Sequence, residues 1–140
     1  MSLYQYRLIR FGLVYLVLTG VLGVLFLISP ATIGYFRVTH VHLGFVGFFL
    51  SMVMGVAYWM MPRPKGLRQE GLEAVTFYLL NAGIIGRIVF EPWWRASGGD
   101  WLQSIVIFTG LLQLGAMVTF AYAMFNRVKT ADMIRRLREA

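Results

Sequence analysis

The sequence predicts an all-α, integral-membrane four-helix bundle. Of its 140 residues, 59% are apolar and 14% are charged, whereas an ordinary soluble domain is about 45–50% apolar and about 25% charged. The mean hydropathy is +0.68. Four apolar stretches are each long enough to cross a hydrocarbon core, which takes about 20 helical residues. The apolar runs are continuous and lack the alternation of a membrane β-barrel, so we expect helices.

The four spans belong to a single transmembrane domain that covers residues 1–140. We predict them near residues 11–28, 40–61, 74–90 and 102–126. Turn-forming residues separate them: Ser29-Pro30, then Pro62-Arg63-Pro64, then Glu91-Pro92 followed by Ser97-Gly98-Gly99-Asp100. The first span follows Arg7 and Arg10, but its apolar core is too long for a signal peptide.

The basic residues divide unevenly between the two sides of the predicted bundle. The chain carries 13 Lys+Arg against 6 Asp+Glu, a net charge of +7. On one side lie the N-terminus, the second loop and a basic tail over 127–140, with ten basic residues: Arg7, Arg10, Arg63, Lys65, Arg68, Arg127, Lys129, Arg135, Arg136 and Arg138. The other side has Arg37, Arg87 and Arg95. The positive-inside rule therefore places both termini in the cytoplasm, in a prokaryotic inner membrane. Because the charges alternate with apolar runs, nucleic-acid binding is not expected.

The only two histidines, His40 and His42, fall in the second span, where a polar side chain is costly and indicates a function. The chain has no cysteine, which excludes thiolate ligands and disulfides. A two-residue offset is about 200° on a helix, so the two rings point to opposite sides. At 100° per residue, His40 shares its face with Gly44, Gly47, Ser51, Gly55 and Tyr58. This stripe is suited either to a flat macrocycle or to a tightly packed helix, and composition alone favours the packed helix.

An ordered string in the second span resembles a known membrane helix. It begins Arg37-Val38-Thr39-His40-Val41-His42 and, after an apolar run, ends Gly55-Val56-Ala57-Tyr58-Trp59-Met60-Met61-Pro62. This resembles the second transmembrane helix of the catalytic subunit of the heme-copper oxidase superfamily, above all the nitric oxide reductases and C-type oxidases. In that family Arg-x-x-His and Gly-x-x-Tyr-x-x-x-Pro bracket the helix, and the histidine, which falls on His40 here, is an axial ligand of the low-spin heme.

Residues 73–83 are loosely similar to the third helix of that subunit, so the whole chain resembles its first four transmembrane helices. The family's copper-binding histidines, its high-spin heme ligand and its second low-spin ligand come from later helices, which are missing here. The chain is therefore not expected to be an oxidase or a nitric oxide reductase on its own. Whether it is an enzyme stays open, because the sequence offers no complete catalytic centre.

The resemblance implies a membrane protein that binds heme b for electron transfer or for binding a diatomic gas, nitric oxide or oxygen. It makes His40 the principal iron ligand and His42 a second candidate. We expect a homodimer, because one chain offers no second ligand from another helix. Further candidates for contact with the heme are Arg37 and Arg87 for the propionates, and Gly44, Gly47 and Tyr58 for the macrocycle.

Two alternatives remain open. In the first, the chain is a cofactor-free accessory or assembly subunit of a larger respiratory membrane complex, and His40 only forms hydrogen bonds. In the second, His40, His42 and outward-facing methionines handle copper. We do not expect copper, because methionines in so apolar a chain are typical of packing. The expected partners are a second copy of the chain, membrane lipid, and redox proteins or the larger complex.

Overall fold

The computed structural model describes residues 1–63 and 69–139, and within these ranges the chain is helical and contains no strand. The α-helices are α1 (Leu3–Ile28), α2 (Ile33–His42), α3 (Ser51–Met60), α4 (Glu70–Ser97) and α5 (Asp100–Glu139). A 3₁₀ turn over Pro30–Thr32 precedes α2. A π-helix over Leu43–Leu50 joins α2 to α3 in one continuous helical rod. Of the residues singled out above, Pro64, Lys65, Arg68 and Ala140 lie outside the described ranges.

The prediction of four membrane-spanning helices is confirmed in length and composition. The helical stretches long and apolar enough to cross a membrane are Leu3–Ile28, Pro30–Met60, Glu70–Ser97 and Asp100–Glu139. The second span begins about ten residues earlier than the sequence predicted. His40 is seven residues beyond Ile33, the start of α2, and so lies about 10 Å inside the helix rather than at its outer end.

Local sequence explains where the helices begin and end. At the start of α1, Ser2 and Gln5 form a capping box: the Ser2 hydroxyl accepts from the Gln5 amide, and the Gln5 side chain accepts from the Ser2 amide. Helix α3 ends at Met60, because Pro62 favours an extended conformation at Met61, which has ψ of 137°. A break predicted at Glu91-Pro92 is wrong. Helix α4 continues through Pro92 to Ser97 and ends at Gly98, whose φ is +70°, a conformation that favours glycine.

The spans run alternately up and down. Contacts between Ser2, Glu73 and Arg127 bring the starts of α1 and α4 and the later part of α5 to one end of the bundle, which we call the terminal end. The turn Pro30–Thr32 and the α4–α5 connection lie at the other end, which we call the loop end. Helix α1 packs along the second span and α4 packs along α5.

Helix α5 extends without a break through the region that the sequence predicted as a basic tail. Its 40 residues measure about 60 Å, twice the thickness of a hydrocarbon core. Arg127, counted from the sequence among the tail residues, is fully buried. Beyond it, Arg135 and Arg136 are exposed and pair with Asp132 on the same helix.

Candidate functional site

His40 lies in the groove between α2 and α1. Its ring is partly buried and tilted against the ring of Phe26, with 5.3 Å between centroids. A methyl group added at Gly23 would lie 3.6 Å from Cε1 of His40. Nδ1 of His40 is buried and has no hydrogen-bond partner among the described residues. Because the ring as a whole is only partly buried, Nε2 is the nitrogen that can meet a ligand outside the bundle.

His42 has a different local arrangement. Its Nδ1 lies 2.9 Å from the carbonyl oxygen of Val38, one turn earlier in α2. Since a carbonyl oxygen only accepts, Nδ1 carries the proton and Nε2 keeps its lone pair, the tautomer that metal-ligating histidines commonly adopt. The ring is partly buried. Both residues belong to the α-helical part of the span, so their rings point to opposite sides and do not share one ligand within a single chain.

The glycine stripe of the second span is covered by α1. A Cβ at Gly47 would lie 2.9 Å from Cγ of Tyr15, and one at Gly44 would lie 3.3 Å from Cγ2 of Thr19. The contact continues toward the terminal end, where a Cβ at Gly55 would lie 2.8 Å from Cγ1 of Ile9. This surface is therefore a close helix–helix contact. It leaves no room for a macrocycle between α1 and the second span.

Tyr58 belongs to a different part of the molecule from His40. Its hydroxyl lies 2.9 Å from Oγ1 of Thr76, and its ring packs edge-on against Phe120 at 5.3 Å. It is fully buried. Eighteen residues of helix separate it from His40, more than about 20 Å along the rod. The structure does not bring Tyr58 and His40 into one site.

The two candidate propionate partners differ in their surroundings. Arg37 is exposed and lies one turn before His40 on α2. Arg87 lies on α4 and is already paired: its Nε donates to Oε2 of Glu91 at 2.7 Å. Glu91 also accepts from Arg95 and is 1% exposed. Arg37 is therefore the basic side chain that is both near His40 in sequence and accessible.

The terminal end holds a buried polar cluster that the sequence analysis missed, centred on Arg127 and Glu73. Nη2 of Arg127 donates to Oε1 of Glu73 at 3.0 Å, and both side chains are at most 2% exposed. Nη1 donates to the carbonyl oxygen of Tyr58 at 2.5 Å, and Nε donates to the Gln69 side chain at 2.9 Å. Glu73 also accepts from the side chains of Ser2 and Gln5.

This cluster, which we call the terminal cluster, joins all four spans through one ion pair and the hydrogen bonds that surround it. The sequence offered one signal for this cluster: Glu73 and Arg127 carry opposite charges at the same end of the third and fourth spans. The positive-inside count concealed it, because that count treats every basic residue near a span as solvent-exposed.

The described parts of the chain contain no group of three or more His, Asp or Glu side chains placed to hold a metal ion. Any metal chemistry there therefore depends on one or two histidines with ligands from outside the protomer. Comparison with protein-family models, with curated proteins and with solved structures finds no match.

Proposed function

We propose that this chain is a membrane b-type heme protein that holds its heme at the contact between two copies, with Nε2 of His40 as an axial ligand. A heme supplies one-electron chemistry or a site for a diatomic gas. Two histidine ligands to the heme would favour electron transfer, and a single histidine ligand would favour binding of the gas.

The main support for the proposal is the local environment of His40. A histidine inside an apolar span is costly, and here its inner nitrogen has no hydrogen-bond partner in the described part of the chain while its ring remains partly exposed to the outside. A ligand on Nε2 would use the accessible side of the ring, where the described residues offer no hydrogen-bond partner. A π-helix starts three residues later, at Leu43, and π-helical segments are frequent at functional sites.

The candidate heme-binding residues can contact a heme only on the outside of the protomer. Because Tyr15, Thr19 and Ile9 cover the glycine stripe, we place the macrocycle on the outer surface beside His40, and Gly44 and Gly47 have a packing role. Arg37, exposed and one turn away, is the side chain suited to a propionate. A two-fold axis at this surface brings a second His40 to the same heme or sets two hemes side by side.

A second candidate function is a cofactor-free accessory or assembly subunit of a larger membrane complex. It is favoured by the filled glycine stripe, which shows that small residues in this span serve helix packing. In that case the His40 ring is a packing residue against Phe26.

Absorption spectroscopy of the purified protein distinguishes the two functions. Produced in heme-replete cells, the protein should show a Soret band that shifts on reduction with dithionite. We expect His40→Ala to lose most of the heme, because it removes an iron ligand, and His42→Ala to retain it. Mass spectrometry from mild detergent should find the heme in a dimer of the 16.0 kDa chain.

Circular dichroism provides the folding control, since His40→Ala removes little buried apolar area and should leave the helical signal unchanged. A colourless preparation would support the cofactor-free subunit. Full heme occupancy in His40→Ala with loss in His42→Ala would transfer the ligand to the other face of α2, where His42 already has the ligating tautomer.

A further inference from the structure

A crevice separates α1, α2 and α4 in the loop-end half of the bundle. Its volume is about 180 Å³. Leu18 and Val21 of α1 line one side, Phe36 and Thr39 of α2 another, and Ile88 of α4 the third. Leu18 and Val21 are 41% and 58% exposed, whereas Thr39 is 2% exposed. The α1 side of the crevice is therefore exposed toward the lipid, and Thr39 lies on its buried side.

The wall of the crevice is apolar except at Thr39. The Oγ1 atom of Thr39 is buried and has no hydrogen-bond partner among the described residues. Many helical threonines bond a carbonyl one turn back, as Thr19 does to Tyr15, but Thr39 does not. An ordered water needs two to four polar partners, and one hydroxyl does not supply them. We therefore expect the crevice to exclude water.

We propose that this crevice binds a small, uncharged, apolar molecule of the class of dissolved gases, which enters from the lipid. An apolar cavity of about 150 Å³ in a protein core stays dry and binds xenon or benzene, so the size is sufficient for one such molecule and too small for a heme. Gases of this class dissolve well in hydrocarbon, so a crevice whose α1 side is exposed to lipid suits them. The site is independent of iron and does not rest on the proposed heme.

Xenon is the probe, because it is apolar, of suitable size and directly visible by anomalous X-ray scattering. Crystals of the protein in lipid, pressurised with xenon, should show a peak in contact with Thr39 and Ile88. Val21→Phe should abolish the peak, because Val21 lines the crevice and the larger ring takes up its space. Val21 is already more than half exposed, so this substitution should not prevent folding.

Val17→Phe is the matched control. Val17 lies one turn earlier on α1, is 65% exposed and does not line the crevice, so xenon binding should be unchanged in this variant. Xenon found only in the open grooves along the outside of α1 would overturn the proposal. So would a peak that persists in Val21→Phe, or continuous density for a lipid or detergent chain reaching Thr39.

Discussion

Arg127 shows how a single buried charge is accommodated in this bundle. Its guanidinium donates to the Glu73 carboxylate, to the Gln69 side chain and to the backbone carbonyls of Tyr58 and Met61. Taking an ion pair out of water costs several kcal/mol per ion, and the pair compensates only when the remaining donors and acceptors are satisfied. The terminal cluster meets that condition, so its stability depends on each of the side chains that form it.

We predict that Arg127→Met lowers the free energy of unfolding by about 3–5 kcal/mol, because it leaves the Glu73 carboxylate buried and unpaired. Adding Glu73→Gln should recover part of the loss, since it removes the unpaired charge. Thermal unfolding in mild detergent measures both. Arg138→Met, at an exposed position in the same helix, is the control and should change stability by less than about 0.5 kcal/mol. Equal effects of Arg127→Met and Arg138→Met would show that the ion pair has no structural role.

At the scale of the helices, the approach of α4 to α5 depends on glycine at one position. A Cβ at Gly83 would lie 2.7 Å from the backbone carbonyl oxygen of Thr109 and 2.7 Å from Cγ of Gln113. A backbone atom does not move aside as a side chain does, so the two helices must separate to accept even a methyl group. Close approach at small residues is a general means of helix association in membranes.

Gly83→Ala should therefore destabilise the bundle by about 1–3 kcal/mol, the usual cost of overpacking. Gly71→Ala is the matched control on the same helix, because a Cβ there meets no atom of the described residues within 4 Å. We expect it to leave stability unchanged or slightly raised. The midpoint of unfolding in mixed micelles gives the comparison. An unchanged midpoint for Gly83→Ala would mean that α4 and α5 do not approach as closely as the structure indicates.

The arrangement of the whole molecule in the membrane rests on the distribution of basic residues. Ten of thirteen lie on the side that carries both termini, so we predict termini in the cytoplasm and the loop end outside. The chain has no cysteine, so one introduced thiol gives an unambiguous signal. Ser97→Cys, at an exposed position beside the α4–α5 connection, should react with an impermeant maleimide added outside intact cells.

Glu139→Cys, exposed at the other end of α5, is the paired control and should react only after the membrane is permeabilised. Labelling of Ser97→Cys from the cytoplasmic side alone would reverse the orientation. It would also place the terminal cluster outside.

The sequence by itself determined the number and type of the spans, because the length and polarity of an apolar run set whether a helix can cross a hydrocarbon core. It also located helix ends such as the one before Pro62, since proline restricts the residue that precedes it.

The tertiary structure decided which neighbours His40, Gly47 and Tyr58 contact. Periodicity at 100° per residue put them on one face, but it cannot tell whether that face meets a cofactor or another helix. Only the position of α1 against the second span, with Tyr15 over Gly47, settles which atoms fill that space. The pairing of Arg127 with Glu73 likewise joins residues 54 positions apart, a contact that no local pattern specifies.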